Sequence, residues 1–478
     1  MRTQLARGIL SCADAATASG GELVSTTIGR CFSNVCTDSR EADSQSLFVA
    51  IAGERVDGHS FIGSVVKNGC RAVLCERIPD ECASLDCDFI VVSDSVKAIG
   101  DIASFYCKNF EVKTVAVTGS VGKTTTKEFV SAVLSRKFKN YKTEGNHNSV
   151  IGLPMSLFEI SGESESAVLE MGMSGFGEIG HMSRVSEPSV ALVTNIGTSH
   201  MEMLGSRENI CRAKMEILEG LRDGGTLVLN GDEPLLTEYD CGAVKPIFVG
   251  INNRNADLRA LNVRCEATKT TFDLIADGKV IPNVELPVMG NHYVYAALFA
   301  FAAGRLLGMD DEEIRAGLLD FKNVGMRQNI YELEGLTVIE DCYNASPESM
   351  RSGIDVLSQL AKQKGGRMVA VLGDMLELGE KSPELHRSVG SYLASKGGRA
   401  LFTFGERASE IAAAAVKGGL AQESVYVNRD KDRPDITGEM LLHGLKEGDV
   451  VLFKASRSMA LERIIAYLRE NSSRLNKN

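Results

Sequence analysis

Short apolar runs bounded by glycine and polar turns recur along the chain, with stretches of helical periodicity between them. Runs this short read as buried strands, and the periodic stretches as the helices that connect them. In the first part, runs at 48–51, 72–74 and 89–92 predict strands, with helices over 61–68 and 96–107. In the middle part, runs at 115–117, 167–172, 190–196 and 226–229 predict strands, and 127–134, 207–221 and 296–307 predict helices. Residues 240–285 read as shorter strands of mixed polarity. A third set follows at 338–339, 368–372, 401–404 and 450–453, then a last helix and a polar tail from 472 expected to fray. The alternation predicts an α/β chain of three domains, 1–107, 108–325 and 326–478. Ligands are expected where strands end at their C-terminal edge.

Composition narrows the function classes. A length of 478 residues exceeds what one core supports. The net charge of -11 argues against a general binder of nucleic acid or anionic membrane, while leaving room for an anionic ligand held by local positive charge. Twelve cysteines include no C-x-x-C pair. Cys31/Cys36, Cys70/Cys75 and Cys82/Cys87 repeat at a five-residue step and read as small buried hydrophobes of a reducing cytosol, with no zinc-like spacing. No apolar run approaches a membrane span, and the N-terminus has Arg2 and Arg7 but no sustained apolar core. A cytoplasmic protein is expected.

The strongest chemical signal is Thr118, Gly119, Ser120, Val121, Gly122, Lys123, Thr124 and Thr125, between a predicted strand and a predicted helix. Val117 stands where G-x-x-x-x-G-K-[ST] has its first glycine, so this is a shorter T-G-x-x-G-K-T variant. Glycines let backbone N–H groups close on phosphate oxygens, and the helix start adds its positive end. Lys123 supplies a point charge, and the Thr124 hydroxyl can sit on Mg²⁺. Downstream, residues 144–154 form a loop dense in amides, including Asn146 and Asn148. Glu170 ends a strand and is a candidate Mg²⁺ ligand, and His200 lies just past the next strand. Lys214 reads as an exposed helix lysine, and Asn291 and His292 suit either a purine edge or a helix cap. Ser39 and Arg40 suit a diphosphate or a solvated turn. Residues 175–180 match G-x-G-x-x-G, but without an acid at the expected strand end the match carries little weight.

In this order, and over nearly the full chain, these loops are similar to those of the Mur ligase family, whose ATP signature is the variant phosphate loop 118–124. Segments 341–347, 373–380 and 454–458 resemble the member that joins D-alanyl-D-alanine to UDP-N-acetylmuramoyl-tripeptide, with Ser346 where asparagine is usual and Ala455 where glycine is usual. The resemblance implies an N-terminal UDP-binding domain, a central P-loop-type ATPase domain and a mobile C-terminal Rossmann-like domain. It implies ATP and two Mg²⁺ ions, with those two substrates as partners, a monomer, and neither nucleic acid nor membrane. Asp38, Ser39 and Arg40 match the uridine-substrate loop. Glu170 and His200, with Thr124, match magnesium ligands, and Lys214 matches a carbamylated lysine. Asn291 matches a residue near adenine. Arg327 matches an interdomain arginine reaching the phosphates, and Asp341 and Asn344 match nucleotide contacts. Lys123, Lys214, His200 and Arg327 are the implied catalytic set, and Asn146, Asn148, Lys454 and Ser456 the implied substrate contacts. The rival readings are the family ligase for the third amino acid, whose Asp-Asn-Pro-Arg motif does not occur here, a folylpolyglutamate synthase, and a non-ligase P-loop ATPase.

Overall fold

The computed structural model describes residues 1–475 except 26, 28, 54, 55 and 109. Positions 54 and 55 of the polar loop at 53–59, and 476–478 of the tail, therefore lie outside the described residues. Among the described residues, three large sheets with helices on their faces, and a two-stranded pair of Leu10–Ser11 with Cys31–Phe32, make a mixed α/β structure.

The first sheet has a parallel centre of Asn34–Cys36, Ser46–Val49, Ala72–Cys75 and Asp88–Val91. Antiparallel edges, Arg2–Gln4 and Glu22–Val24, flank it. Neither edge nor Asn34–Cys36 was predicted, because three residues carry too little periodicity to read. Cys70, Cys75, Cys82 and Cys87 pack in one apolar cluster, and burial pushes the Cys75 thiol up to about 12.

The central sheet has nine strands. Ser166–Glu170, Lys113–Thr118 and Val190–Val193 lie side by side and parallel, so their C-terminal ends open on one edge. The region read as short mixed strands instead holds Leu258–Cys265, Thr270–Ala276 and Lys279–Leu286, of 8, 7 and 8 residues, paired antiparallel. Their mixed polarity is the alternation of a half-buried sheet, one face in the core and one in water. The core side meets Asn291–Leu306, a helix whose Ala and Phe residues are buried nearly all round. Beside it, Phe129 of the phosphate-loop helix stacks on Phe321 with ring centres 3.7 Å apart. That apolar layer fixes the helix that presents the phosphate loop.

The third sheet orders Asn329–Leu333, Leu336–Glu340, Val450–Lys454, Met368–Gly373, Ala400–Phe404 and Val425–Asn428, all parallel after the first strand. Ser346 caps Pro347–Lys364 by a reciprocal bond with Ser349, with Pro347 in the first turn. No described helix is long and apolar enough to cross a membrane.

Candidate active site

Three adjacent parallel strand ends deliver Glu170, the phosphate loop and residues 194–200 to one place. Gly119 has φ +147°, and a Cβ there would lie 1.9 Å from Thr194 Oγ1, so only glycine fits. Thr194 Oγ1 donates to the Val121 carbonyl at 2.6 Å. Ser120 N donates to the Asn195 carbonyl at 3.1 Å, and Val121 N to Asn195 Oδ1 at 2.9 Å. The loop is thus stitched to the neighbouring strand. Gly122, at φ +84°, stands at the start of Lys123–Leu134. Lys123 Nζ reaches back to the Gly119 carbonyl at 2.8 Å. Burial pushes its pKa down, Glu170 raises it and Arg327 lowers it further.

Glu170 is 3% exposed. Its Oε1 accepts from Asn148 Nδ2 at 2.8 Å, and its backbone N–H donates to Thr143 Oγ1 at 3.1 Å. Oε2 is buried without a hydrogen-bond partner. A carboxylate oxygen left bare in the interior suits a hard cation. Among the described residues no group of three or more His, Cys, Asp and Glu is placed to hold a metal.

The third unit closes over this edge. Arg327 lies over the Tyr343 ring at 3.9 Å and donates from Nη2 to Thr124 Oγ1 at 3.1 Å. His200, at φ +62°, sets Nδ1 2.8 Å from Glu377 Oε2, a bond that holds the Glu377 carboxyl below its usual range. Glu348 Oε1 accepts from both the N–H and the hydroxyl of Thr198, each at 3.1 Å. Lys454, 3% exposed, sets Nζ 2.6 Å from Asp341 Oδ2 and donates to the Asn344 carbonyl at 3.0 Å. A cleft of about 740 Å³ runs between the walls, with Asn146, Asn148 and Glu170 on one and Asp341, Asn344 and Lys454 on the other.

Not every sequence candidate reaches the cleft. Asp38, Ser39 and Arg40 sit on the first unit, where Arg40 folds back on Asp38 through Nε at 2.9 Å and Nη2 at 2.6 Å. Gly290, not Asn291, occupies the cap position of its helix, and Asn291 Oδ1 accepts from the Cys265 thiol at 3.1 Å. His292, Tyr293 and Tyr295 line the cleft instead, and burial pushes His292 down to about 4, leaving it neutral. Ser456 is buried, its Oγ accepting from Leu376 N at 3.0 Å and so ordering the 373–380 loop.

Lys214 corrects the sequence reading of an exposed helix lysine, since it is 1% exposed. Burial, then the charge of Lys123, drives its pKa well below 10.5. The helix expected over 207–221 ends at Met215 and tightens into Glu216–Gly220. There Glu216 accepts from Gly177 N at 2.9 Å and Gly180 N at 3.2 Å. The G-x-G-x-x-G helix start is thereby already supplied with an anion. Glu348 and Glu377 were missed. Glu348 follows a proline in a first helical turn, where an acid is expected for the helix dipole alone.

Family models agree with this architecture. The one described as Mur ligase family, catalytic domain, matches residues 32–107, Mur ligase middle domain 117–304, and Mur ligase, glutamate ligase domain, 326–457. A UDP-N-acetylmuramoyl-tripeptide--D-alanyl-D-alanine ligase of Bacillus subtilis is 39% identical over 91% of this chain and 93% of its own. The Escherichia coli protein of the same name is 33% identical over 92% and 94%. MurF from Acinetobacter baumannii superimposes with a TM-score of 0.85 at 29% identity, covering 97% of this chain and 100% of that one. MurF from Thermotoga maritima in complex with ADP gives 0.81 at 30% identity, covering 93% and 98%. Matched in all three units, and aligned over 91% of its length with a relative 39% identical, the chain belongs to the Mur ligase family.

Proposed function

We propose that this protein is an ATP-dependent, ADP-forming ligase that joins D-alanyl-D-alanine to UDP-N-acetylmuramoyl-tripeptide, as a monomer in the cytoplasmic synthesis of peptidoglycan precursors. One observation carries the reading. The phosphate loop and Glu170 face Asp341 and Lys454 across a single cleft, bridged by Arg327 on Thr124. An anionic nucleotide and an anionic acyl group can meet there.

A carboxylate is a poor acyl donor. In the reading advanced here, a peptide carboxylate oxygen bonds to the γ-phosphorus of ATP while the bond to the β-phosphate oxygen breaks, releasing ADP. The D-alanyl-D-alanine amine attacks the resulting acyl phosphate, loses a proton, and phosphate departs. At about 4 Å two unit anions repel by roughly 4 kcal/mol at an effective dielectric near 20. Lys123 and Arg327 offset that repulsion, as phosphoryl transfer requires. Thr124, Glu170 and His200 would hold two Mg²⁺ ions, which when bound with the nucleotide phosphates neutralise further charge. Burial disfavours the protonated form of Lys214, which favours its amine as a nucleophile toward carbon dioxide, and its carbamate would offer the metal an anionic oxygen. Asp38, Ser39 and Arg40 are assigned to the UDP group, Asn291 to the adenine side, and Asn146, Asn148, Lys454 and Ser456 to substrate or to the loops that carry it.

Phosphate release assayed with each substrate omitted tests the assignment. Release is expected only with ATP, UDP-tripeptide and D-alanyl-D-alanine together, and turnover with a single amino acid in place of the dipeptide would overturn it. Hydroxylamine should trap the acyl phosphate. Amide formation with no trapped species would remove the two-step route.

A further inference from the structure

The phosphate-loop helix carries a second lysine, Lys127, one turn beyond Lys123 and 2% exposed. A charge so buried must be compensated. Its Nζ donates to the Thr143 carbonyl at 2.8 Å and pairs with Glu128 Oε1 at 3.1 Å. It also stands 3.9 Å from Glu170 Oε2. Glu128 in turn holds Lys142 through its other oxygen. Two lysines and two glutamates thus run in a line from the surface to the back of the cleft.

Glu170 is held at several points. Asn148 occupies Oε1, and Thr143, itself gripped by Lys127, takes the backbone N–H. At 3.9 Å Lys127 makes no hydrogen bond to Oε2. It supplies positive charge behind that oxygen without filling its coordination space, and Oε2 has no hydrogen-bond partner of its own. The phosphoryl-transfer chemistry above makes no use of Lys127.

We propose that Lys127 is a positioning residue, holding Glu170 in place with its Oε2 turned to the metal of the nucleotide site. The inference rests on the reading of Glu170 as a metal ligand. A bland alternative exists, in which Lys127 only neutralises Glu128. The two differ in what a second substitution does.

The test is Mg²⁺ binding without turnover. The non-hydrolysable analogue AMPPNP is titrated into full-length protein over a series of Mg²⁺ concentrations, giving the half-saturating Mg²⁺. Outer-shell partners of metal ligands typically set affinity by about 10- to 100-fold. Lys127→Met should raise half-saturation by about tenfold or more while metal-free AMPPNP affinity holds. Lys127→Met with Glu128→Gln, which removes the buried Glu128 charge that Lys127 shares with Lys142, should stay raised. Lys127→Met added to Glu170→Gln should shift nothing beyond Glu170→Gln alone, because Lys127 acts through Glu170. Wild-type half-saturation in Lys127→Met, its recovery in the Glu128 double variant, or additivity with Glu170→Gln would each overturn the inference. Wild-type half-saturation in Glu170→Gln would instead remove the metal-ligand reading beneath it.

Discussion

Glu348→Ala should loosen the closure of the third unit on the central one. The carboxylate oxygen that accepts both the N–H and the hydroxyl of Thr198, each at 3.1 Å, bridges the units at the loop that carries His200. A hydrogen bond to a charged acceptor contributes about 1.5–3 kcal/mol net. Here two donors share one oxygen at a half-exposed position, so about 2 kcal/mol for the pair is the working figure. At about 1.4 kcal/mol per tenfold, the closing equilibrium should fall about thirtyfold. A molecule about 97% closed would become roughly half open. Glu348→Gln keeps an acceptor oxygen but loses the charge, and should fall between. Thr198→Val keeps the N–H and should give about half the effect. Labels on the central and third units, read by energy transfer without ligand, report the populations directly. Coincident distance distributions for wild type and Glu348→Ala would refute the reasoning, since the bond would then carry no net closing energy.

Gly119→Ala places a methyl 1.9 Å from Thr194 Oγ1 at a positive φ, and should lower stability by about 2–4 kcal/mol in denaturant unfolding; an unmoved midpoint would show that the loop has room. Lys123→Met should cost at least about a hundredfold in kcat/KM and weaken AMPPNP in calorimetry, since Lys123 Nζ lies against the loop at the Gly119 carbonyl; undiminished binding would reduce the loop to an ordinary turn. Lys214 has a folded pKa below its unfolded value of 10.5. The unfolded state therefore binds more protons, and stability rises with pH up to that value. Lys214→Met in carbon-dioxide-free buffer should be more stable at neutral pH and lose that rise. A wild-type slope in denaturant midpoints from pH 7 to 10 would contradict it. The same substitution should abolish activity, and bicarbonate should restore carbon-dioxide-depleted wild type but not the variant.

Where function depends on one local segment, the sequence was readable. The strand, Gly119, Gly122 and Lys123 announce a phosphate loop because glycine spacing and helix onset are local properties. Glu170 was legible for the same reason, as an acid ending an apolar strand. What escaped was set by partners far along the chain. Lys214 lies on a helix of polar composition, and nothing near it says that it points into the interior. Lys127 and Glu128 sit in an amphipathic stretch where charges ordinarily face water, yet both are buried against strand residues beyond the next loop. Glu348 and Glu377 matter only because a separate unit folds onto the loop at 194–200. The bond by which Ser456 Oγ accepts from Leu376 N was likewise hidden, because that loop lies 80 residues earlier in the chain.

Glu216 sits at the Gly177 and Gly180 amides, where a nucleotide's diphosphate would otherwise be drawn. A glycine-punctuated helix start advertises for negative charge, and here the vacancy is filled from within by a side chain of the same unit. The pattern in the letters is genuine, and so is the electrostatic pull behind it. Only the tenant differs, being a resident carboxylate rather than a visiting pyrophosphate.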